Sequence, residues 1–236
     1  MVQLNYNRIA CVYETLGYIY SGRQIHDAKA SQMTELRVQD RVLYVGVGPG
    51  EDALLAARLG ARVSCIDLST GMLRQAQSRM AREGLGAEFL HGDVLDHRRT
   101  GYYDVVVVNF FLNVFSEQEM QRMLCHLATL VQEGGKLLIS DFMPPQGGGA
   151  ARAAQAVYWG VTNLFYYLLR LSAWHGVYDY PLYFERAGLA LTNVRRFRLL
   201  KNSPLGFWSV TATRQSAKTT SSADLLPKAL LPASAS

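Results

Sequence analysis

Val42–Glu51 reads VLYVGVGPGE, a strand-like apolar run that passes into a glycine-rich turn and then into an acidic residue. Gly46, Gly48 and Gly50 allow the backbone to turn tightly and to approach a ligand closely. A helix is predicted to follow, and its first turn would offer unpaired N–H groups and the positive end of a helix dipole. The stretch therefore predicts a strand, a glycine loop and a helix that together bind a nucleotide-like ligand.

Around this stretch, short β-branched runs alternate with helical stretches from about residue 38 to residue 141, which is typical of a parallel sheet covered on both faces. The predicted strands are Arg41–Val45, Arg62–Asp67, Ala87–Leu90, Asp104–Asn109 and Gly135–Asp141. The predicted helices are Glu51–Leu59, Thr70–Glu83 and Glu117–Gln132. Ser116 is expected to cap the last helix, and Gly134-Gly135 is expected to end it.

The flanks of this region predict the domain organisation. Residues 1–37 carry apolar positions at helical spacing and are expected to form an N-terminal helical extension. The domain proper is predicted to span residues 38–214, with a helical insertion at residues 146–184 after the fifth strand. Two strand-like runs near its end, separated by Asn202-Ser203-Pro204, predict an antiparallel hairpin. Residues 215–236 are rich in Ala, Ser and Thr and are expected to be a disordered tail.

Two further acidic residues fall where predicted strands end. Asp67 ends the second strand, 21 residues after Gly46, where a carboxylate accepts hydrogen bonds from ribose hydroxyls. Asp93 follows the third strand. Because ligands of such sheets bind outside the carboxyl ends of the strands, these side chains and the glycine loop are expected to share one nucleoside site.

The residue after the glycines favours one cofactor over another. A dinucleotide fingerprint needs a small residue at the sixth position of G-x-G-x-x-G, and Glu51 stands there. A carboxylate would repel a pyrophosphate, which disfavours an NAD(P) oxidoreductase. A ligand that carries an ammonium and a sulfonium tolerates acidic neighbours, so the sequence favours S-adenosyl-L-methionine (SAM).

Over about residues 40–145 the chain resembles the class I SAM-dependent methyltransferases. The matching segments are the glycine loop, Cys65–Ser69 with Met72-Leu73, Gly92-Asp93-Val94, Asp104–Asn109 and Glu133–Leu137. The resemblance implies a Rossmann-like α/β fold whose mainly parallel seven-stranded sheet carries a C-terminal antiparallel hairpin and helices on both faces. It also implies a set of cofactor-binding residues: Gly46, Gly48 and Gly50 at the methionine moiety, Asp67 at the ribose, Leu68, Met72, Asp93 and Val94 around adenine, and Asn109 and Phe110 at the reactive end.

One position departs from that family. An acidic residue often stands two positions before the first glycine and positions the amino end of the cofactor, whereas this chain has Tyr44. Either the Tyr44 hydroxyl does part of that work, or Glu51, Asp52 or an N-terminal residue such as Tyr13 replaces it. The same departure keeps open a second function, a SAM- or S-adenosylhomocysteine-binding protein without transferase activity.

The acceptor is predicted to be a hydrophobic or aromatic small molecule, because the N-terminal extension and the insertion are both rich in aromatic residues. The chain broadly resembles the subgroup that methylates quinones and other lipid-like molecules. No Asn-Pro-Pro-Tyr-type motif follows the fourth strand, so a nucleic acid is not the expected partner. If the acceptor must lose a proton, His175, Tyr178 and Asp141 are the candidate bases.

The charge distribution and the cysteine content indicate the compartment in which the protein works. The excess of positive charge in the formal net charge of +5 is concentrated after residue 150, which suits an anionic ligand or an anionic membrane surface. Cys11, Cys65 and Cys125 are isolated and have no histidine at ligand spacing, so neither a disulfide framework nor a metal site is expected. The sequence predicts a cytoplasmic protein with peripheral membrane contact.

Overall fold

A single mixed sheet of seven strands organises the computed structural model, which describes residues 23–144, 148–149, 152–153, 155–157, 159–160, 176–198 and 205–216. The strands are β1 (Arg41–Val45), β2 (Arg62–Asp67), β3 (Glu88–His91), β4 (Tyr103–Asn109), β5 (Val131–Phe142), β6 (Leu189–Arg198) and β7 (Gly206–Arg214). Their order across the sheet is β3-β2-β1-β4-β5-β7-β6. All neighbours pair in parallel up to β5, while β7 pairs antiparallel with both β5 and β6. The predicted fold class is confirmed, including the antiparallel C-terminal hairpin.

The helices are α1 (Gln24–Ala30), α2 (Glu51–Arg58), α3 (Thr70–Ala81), α4 (Glu117–Leu130) and α5 (Pro181–Phe184). At the start of two of these helices a side-chain oxygen accepts a hydrogen bond from a backbone N–H of the first turn, which has no partner within the helix. Ser69 accepts from the N–H of Met72, and Ser116 forms a reciprocal capping box with Glu119. The predicted N-cap of the helix after Ser116 is therefore confirmed.

Both faces of the sheet are buried, because side chains alternate along each strand. In β1, Val42 and Tyr44 face an apolar cluster that includes α2 and α3. Leu43 and Val45 face the opposite cluster, which includes α4. Strands buried on both faces are continuously apolar, as β1 and β4 are. This double burial fixes the carboxyl ends of the central strands, where the functional site lies.

One predicted boundary is wrong. The helix before β5 ends at Leu130 instead of Gln132, and β5 begins at Val131, so Gly134 and Gly135 lie within the strand instead of closing the helix. The register of β4 against β5 shifts at this place, because residues of β5 bulge out of the ladder. Gly134 has a φ of +73° there. The glycines therefore serve a bulge in the strand.

The flanks of the domain are described only in part. Of the predicted N-terminal extension the structure describes α1 and a short 3-10 helix, Ser31–Glu35. Of the insertion, residues 152–153, 155–157 and 159–160 are helical. The predicted tail lies almost wholly outside the described residues. Within the described part of the chain no helix is long and apolar enough to cross a membrane, and the predicted membrane contact stays a prediction.

Candidate functional site at the carboxyl edge of the sheet

The glycine loop joins the carboxyl end of β1 to α2 and lies close to two neighbouring elements. Its first N–H, from Gly46, donates to the carbonyl of Ile66 in β2 at 2.9 Å. A Cβ at Gly46 would stand 2.6 Å from a ring carbon of Phe111, and a Cβ at Gly50 would stand 2.6 Å from Cβ of Ala76 in α3. A Cβ at Gly48 would meet no atom within 4 Å. The loop therefore packs against protein at both ends and opens outward in its middle, which is the shape of a ligand cradle.

The need for a glycine at position 50 can be tested through the free energy of unfolding. Gly50 has a φ of +83°, and a Cβ added to it would also stand only 2.9 Å from a backbone atom, Cα of Ala76. We expect Gly50→Ala to lower the free energy of unfolding by about 2 kcal/mol, because left-handed strain and overpacking add. Gly84→Ala is the matched control, since Gly84 has a φ of +66° but open space where its Cβ would lie. It should cost about 1 kcal/mol in a urea titration. Equal losses in the two variants would show that the contact with Ala76 does not matter.

Asp67 ends β2 and connects the glycine loop to the start of α3. Its Oδ2 accepts from the N–H of Gly48 at 3.3 Å, and its Oδ1 accepts from the N–H of Ser69 at 2.8 Å. Burial raises the pKa of this carboxyl, and the hydrogen bonds from Ser69 and Gly48 partly offset the rise. Asp67 therefore lies beside the middle of the glycine loop, as the sequence predicted.

The other residues assigned around adenine lie on the neighbouring segments. Leu68 follows β2 and is 63% exposed, which is unusual for a leucine at the edge of a buried sheet. Met72 and Val94 are buried. Asp93 follows β3, and its side chain accepts from the N–H of Leu95, where it caps a short 3-10 helix. These side chains line the edge beside β2 and β3, with Leu68 open to solvent.

Tyr44 is 2% exposed. Its hydroxyl donates to the backbone carbonyl of Asp52 at 3.1 Å, so the tyrosine fixes the first turn of α2 against β1. Burial raises the pKa of Tyr44 well above its ordinary value. The Asp52 side chain points to the end of β4, where it accepts from Nδ2 of Asn109 at 2.8 Å. The structure thus gives Tyr44 a contact with the backbone of α2, and it places the Asp52 carboxylate at the end of β4.

Asn109 ends β4, and Phe110 follows it. Asn109 accepts from Nε2 of Gln32 at 2.9 Å and from the N–H of Ser140 at 3.0 Å. Phe110 has a φ of +53°, which is uncommon for a bulky residue. Lys29 of α1 places its Nζ 6.0 Å from the centroid of the Phe110 ring. Sequence reasoning missed Lys29 and Gln32, because residues so far from β4 in the chain carry no local signal of this contact.

Two of the three candidate bases, Tyr178 and Asp141, lie within the described residues. Tyr178 donates its hydroxyl to the carbonyl of Phe115 at 2.7 Å, and burial raises its pKa. Asp141 is buried at the end of β5 and accepts from the hydroxyl of Tyr180 at 2.6 Å. His175 lies outside the described residues. Tyr178 and Asp141 therefore attach the last part of the predicted insertion to the rest of the domain, one at Phe115 and the other at the end of β5.

This architecture defines a Rossmann-like domain, a fold whose ligands bind outside the carboxyl ends of the strands. Residues 42–135 match a family model described as a methyltransferase domain. The chain is 30% identical over 144 residues to a demethylmenaquinone methyltransferase of Tropheryma whipplei, covering 60% of this chain and 59% of that protein. It thus spans less than two thirds of the length of that relative.

Solved structures share the fold at low identity. A Burkholderia thailandensis 1,6-didemethyltoxoflavin-N1-methyltransferase with bound 1,6-didemethyltoxoflavin and S-adenosylhomocysteine has a TM-score of 0.62 at 16% identity, and the match covers 92% of each chain. The [4+2]-cyclase SpnF has a TM-score of 0.57 at 17% identity, over 81% of this chain and 80% of its own. The chain is therefore similar in sequence to methyltransferases over part of its length, and it shares the fold of solved methyltransferase structures.

Proposed function

We propose that this chain transfers a methyl group from SAM to a hydrophobic or aromatic small molecule of quinone-, phenol- or lipid-like character. The observation that carries the acceptor class is a cluster of aromatic rings at the edge of the sheet that bears the glycine loop. The cluster consists of Phe110, Phe142, Trp159 and Phe207. An apolar site with a few polar groups at one side is the ordinary form of a small-molecule pocket.

The strand order explains why these rings meet. Phe110 follows β4, Phe142 ends β5, and Phe207 lies at the start of the antiparallel β7, directly opposite Phe142. The ring centroids of Phe142 and Trp159 are 4.4 Å apart, and those of Phe110 and Phe207 are 5.8 Å apart. Phe110 and Phe142 are half-buried. Their accessible faces favour a flat apolar acceptor next to the end of β4.

The cofactor would be held by the residues that the family resemblance assigns. The open middle of the glycine loop and the carboxylate of Asp67 fit the amino-acid and ribose parts of SAM. The exposed Leu68 fits the face of a base. We assign the cofactor site to Gly46, Gly48, Gly50, Asp67, Leu68, Met72, Asp93, Val94, Asn109 and Phe110. Tyr44 acts on this site through the backbone of α2.

When bound, the cofactor supplies a methyl group on a positively charged sulfur, which is a good leaving group. Alignment of the acceptor then supplies much of the rate enhancement. The aromatic cluster would orient the acceptor and exclude water. A base is needed only for an acceptor that loses a proton, and His175 stays the candidate for that role. The Tyr178 hydroxyl is engaged with a backbone carbonyl and is the weaker candidate.

The acceptor class is tested by turnover with a panel of quinones, phenols and phospholipids. We expect Phe142→Ala to reduce methyl transfer from radiolabelled SAM by about 10-fold, because the lost aromatic contact is worth roughly 1.4 kcal/mol of acceptor alignment. Binding of S-adenosylhomocysteine should stay within about threefold of the wild type. Phe89→Ala is the control, since Phe89 packs in the cluster on α2 and α3. An equal loss of turnover in both variants would contradict the proposed acceptor surface.

The same measurements distinguish a methyltransferase from the alternative, a SAM- or S-adenosylhomocysteine-binding protein without transferase activity. Its support is that Tyr44 stands where the family often has an acidic residue, and a fold alone does not set the reaction. Binding of S-adenosylhomocysteine without methylation of any compound in the panel would favour that alternative. Turnover of one apolar acceptor would exclude it.

A further inference from the structure

An ion pair lies between the N-terminal helix and the helix that follows the glycine loop. Nζ of Lys29 in α1 is 3.8 Å from Oδ2 of Asp52 in α2. Asp52 is 5% exposed, and the Lys29 side chain is 24% exposed. A buried ion pair adds little to the stability of a fold, because the cost of removing both charges from water offsets most of their mutual attraction. The pair therefore requires an explanation beyond stability.

A polar network fixes the carboxylate of this pair at the end of β4. Asn109 donates to Oδ2 of Asp52 at 2.8 Å and to Oε1 of Gln32 at 3.0 Å. Gln32 in turn donates to the hydroxyl of Ser140 at 3.2 Å. Both the ion pair and the Asn109 hydrogen bond use Oδ2 of this carboxylate. The network holds the carboxylate in place at the end of β4.

The pair also lies at the place where this chain departs from its family. The acidic residue that often precedes the glycines is Tyr44, whose hydroxyl donates to the Asp52 carbonyl. Asp52 is the second residue of α2, so a carboxylate follows the glycine loop in the first turn of that helix. Lys29, above the ring of Phe110, adds a positive charge at the same place. The amino-acid end of SAM is a zwitterion, with an ammonium and a carboxylate on one carbon.

We infer that Asp52 and Lys29 form the subsite for this zwitterionic end, with Asp52 receiving the ammonium and Lys29 the carboxylate of the cofactor. The inference rests on the proposed function, because it assumes that SAM binds at the glycine loop. In this arrangement α1, which lies outside the matched domain of residues 42–135, contributes a residue to the cofactor site. Lys29 and Asp52 exchange one partner for another of the same charge when the ligand binds.

Two ligands that differ only at this end provide the test. S-adenosylhomocysteine carries the amino-acid end, whereas 5′-methylthioadenosine has the adenosine and the sulfur without it. By isothermal titration calorimetry, Lys29→Gln and Asp52→Asn should each weaken S-adenosylhomocysteine by about 10- to 100-fold, as expected for a lost charged hydrogen bond. Binding of 5′-methylthioadenosine should change by less than about threefold. Lys29→Arg should keep most of the affinity because it keeps the charge.

Glu35→Gln is the matched control for the docking of the N-terminal segment. Glu35 pairs with Lys136 at 2.9 Å and with Arg195 at 3.8 Å, so it also ties this segment to the sheet. It should leave the affinity for both ligands unchanged. Equal weakening of both ligands by the Lys29 and Asp52 variants, or unchanged binding of both, would overturn the inference and leave the pair a structural one.

A wild-type protein that binds neither ligand would overturn the proposed function and this inference with it. A wild type that binds both ligands with equal affinity would overturn the inference alone, because the amino-acid end would then contribute nothing. If Asp52→Asn fails to fold, the partly exposed Lys29 still decides the question, since its substitution leaves the hydrogen bond between Asn109 and Asp52 in place.

Discussion

Asp67→Ala is expected to weaken the binding of S-adenosylhomocysteine by roughly 100-fold, close to the loss of two good hydrogen bonds to a charged group. The side chain has two effects on the site. It would accept from the ribose, and it already accepts from the N–H groups of Gly48 and Ser69. Removing it deletes the ribose contact and also releases the middle of the glycine loop. Calorimetric titration of wild type and variant measures the change.

The control for this variant is Asp96→Ala. Asp96 belongs to the short 3-10 helix after β3, on the same side of the sheet, and its carboxylate is exposed and paired with Arg98 at 3.9 Å. The Asp96→Ala substitution removes one negative charge, as Asp67→Ala does, but it does not alter the glycine loop. The affinity for S-adenosylhomocysteine should therefore stay within about threefold of the wild type. If Asp67→Ala also stays within that range, the assignment of Asp67 to the ribose is wrong.

Local sequence signals predicted the sheet and the glycine loop because each depends on neighbouring residues. The alternation of β-branched runs and helices indicated parallel strands, and the glycines followed by Glu51 indicated the turn and the helix start. Asp67 was predictable because the end of a strand fixes where its side chain lies. The part of the site built from β1, β2 and α2 could therefore be inferred before the structure was known.

The remainder of the site depends on contacts between distant residues. Lys29 reaches Asp52 only because α1 packs against the sheet, and nothing in the sequence around residue 29 predicts that partner. The bond between Asp141 and Tyr180 likewise joins residues 39 positions apart. The predicted start of β5 was also wrong, because a pair of glycines is compatible both with the end of a helix and with a bulge in a strand.

The buried carboxyl of Asp141 predicts an unusual dependence of stability on pH. Asp141 is 1% exposed and accepts from Nδ2 of Asn113, the N–H of Phe142 and the hydroxyl of Tyr180. Burial raises its pKa from the ordinary value of 3.8 to about 7, although these hydrogen bonds oppose the rise. Between pH 4 and 7 the folded protein therefore holds a proton that the unfolded chain releases. The stabilisation from this proton is complete below about pH 4 and is lost as the pH rises to about 7.

Asp141→Asn removes this titration and keeps a side chain of the same size. The wild type should lose up to about 4 kcal/mol of unfolding free energy between pH 4 and 7 relative to Asp141→Asn, at about 1.4 kcal/mol for each pKa unit. Urea titrations at intervals across that range measure the difference. Burial raises the pKa of Asp104, but its bonds to Arg41 bring the net pKa below the ordinary value. Asp104→Asn should therefore show no such change relative to the wild type above about pH 5, and the wild type should lose stability relative to it only as the pH falls below about 4. Parallel profiles for wild type and Asp141→Asn would mean that Asp141 is ionised in the folded protein, with its three hydrogen bonds outweighing burial.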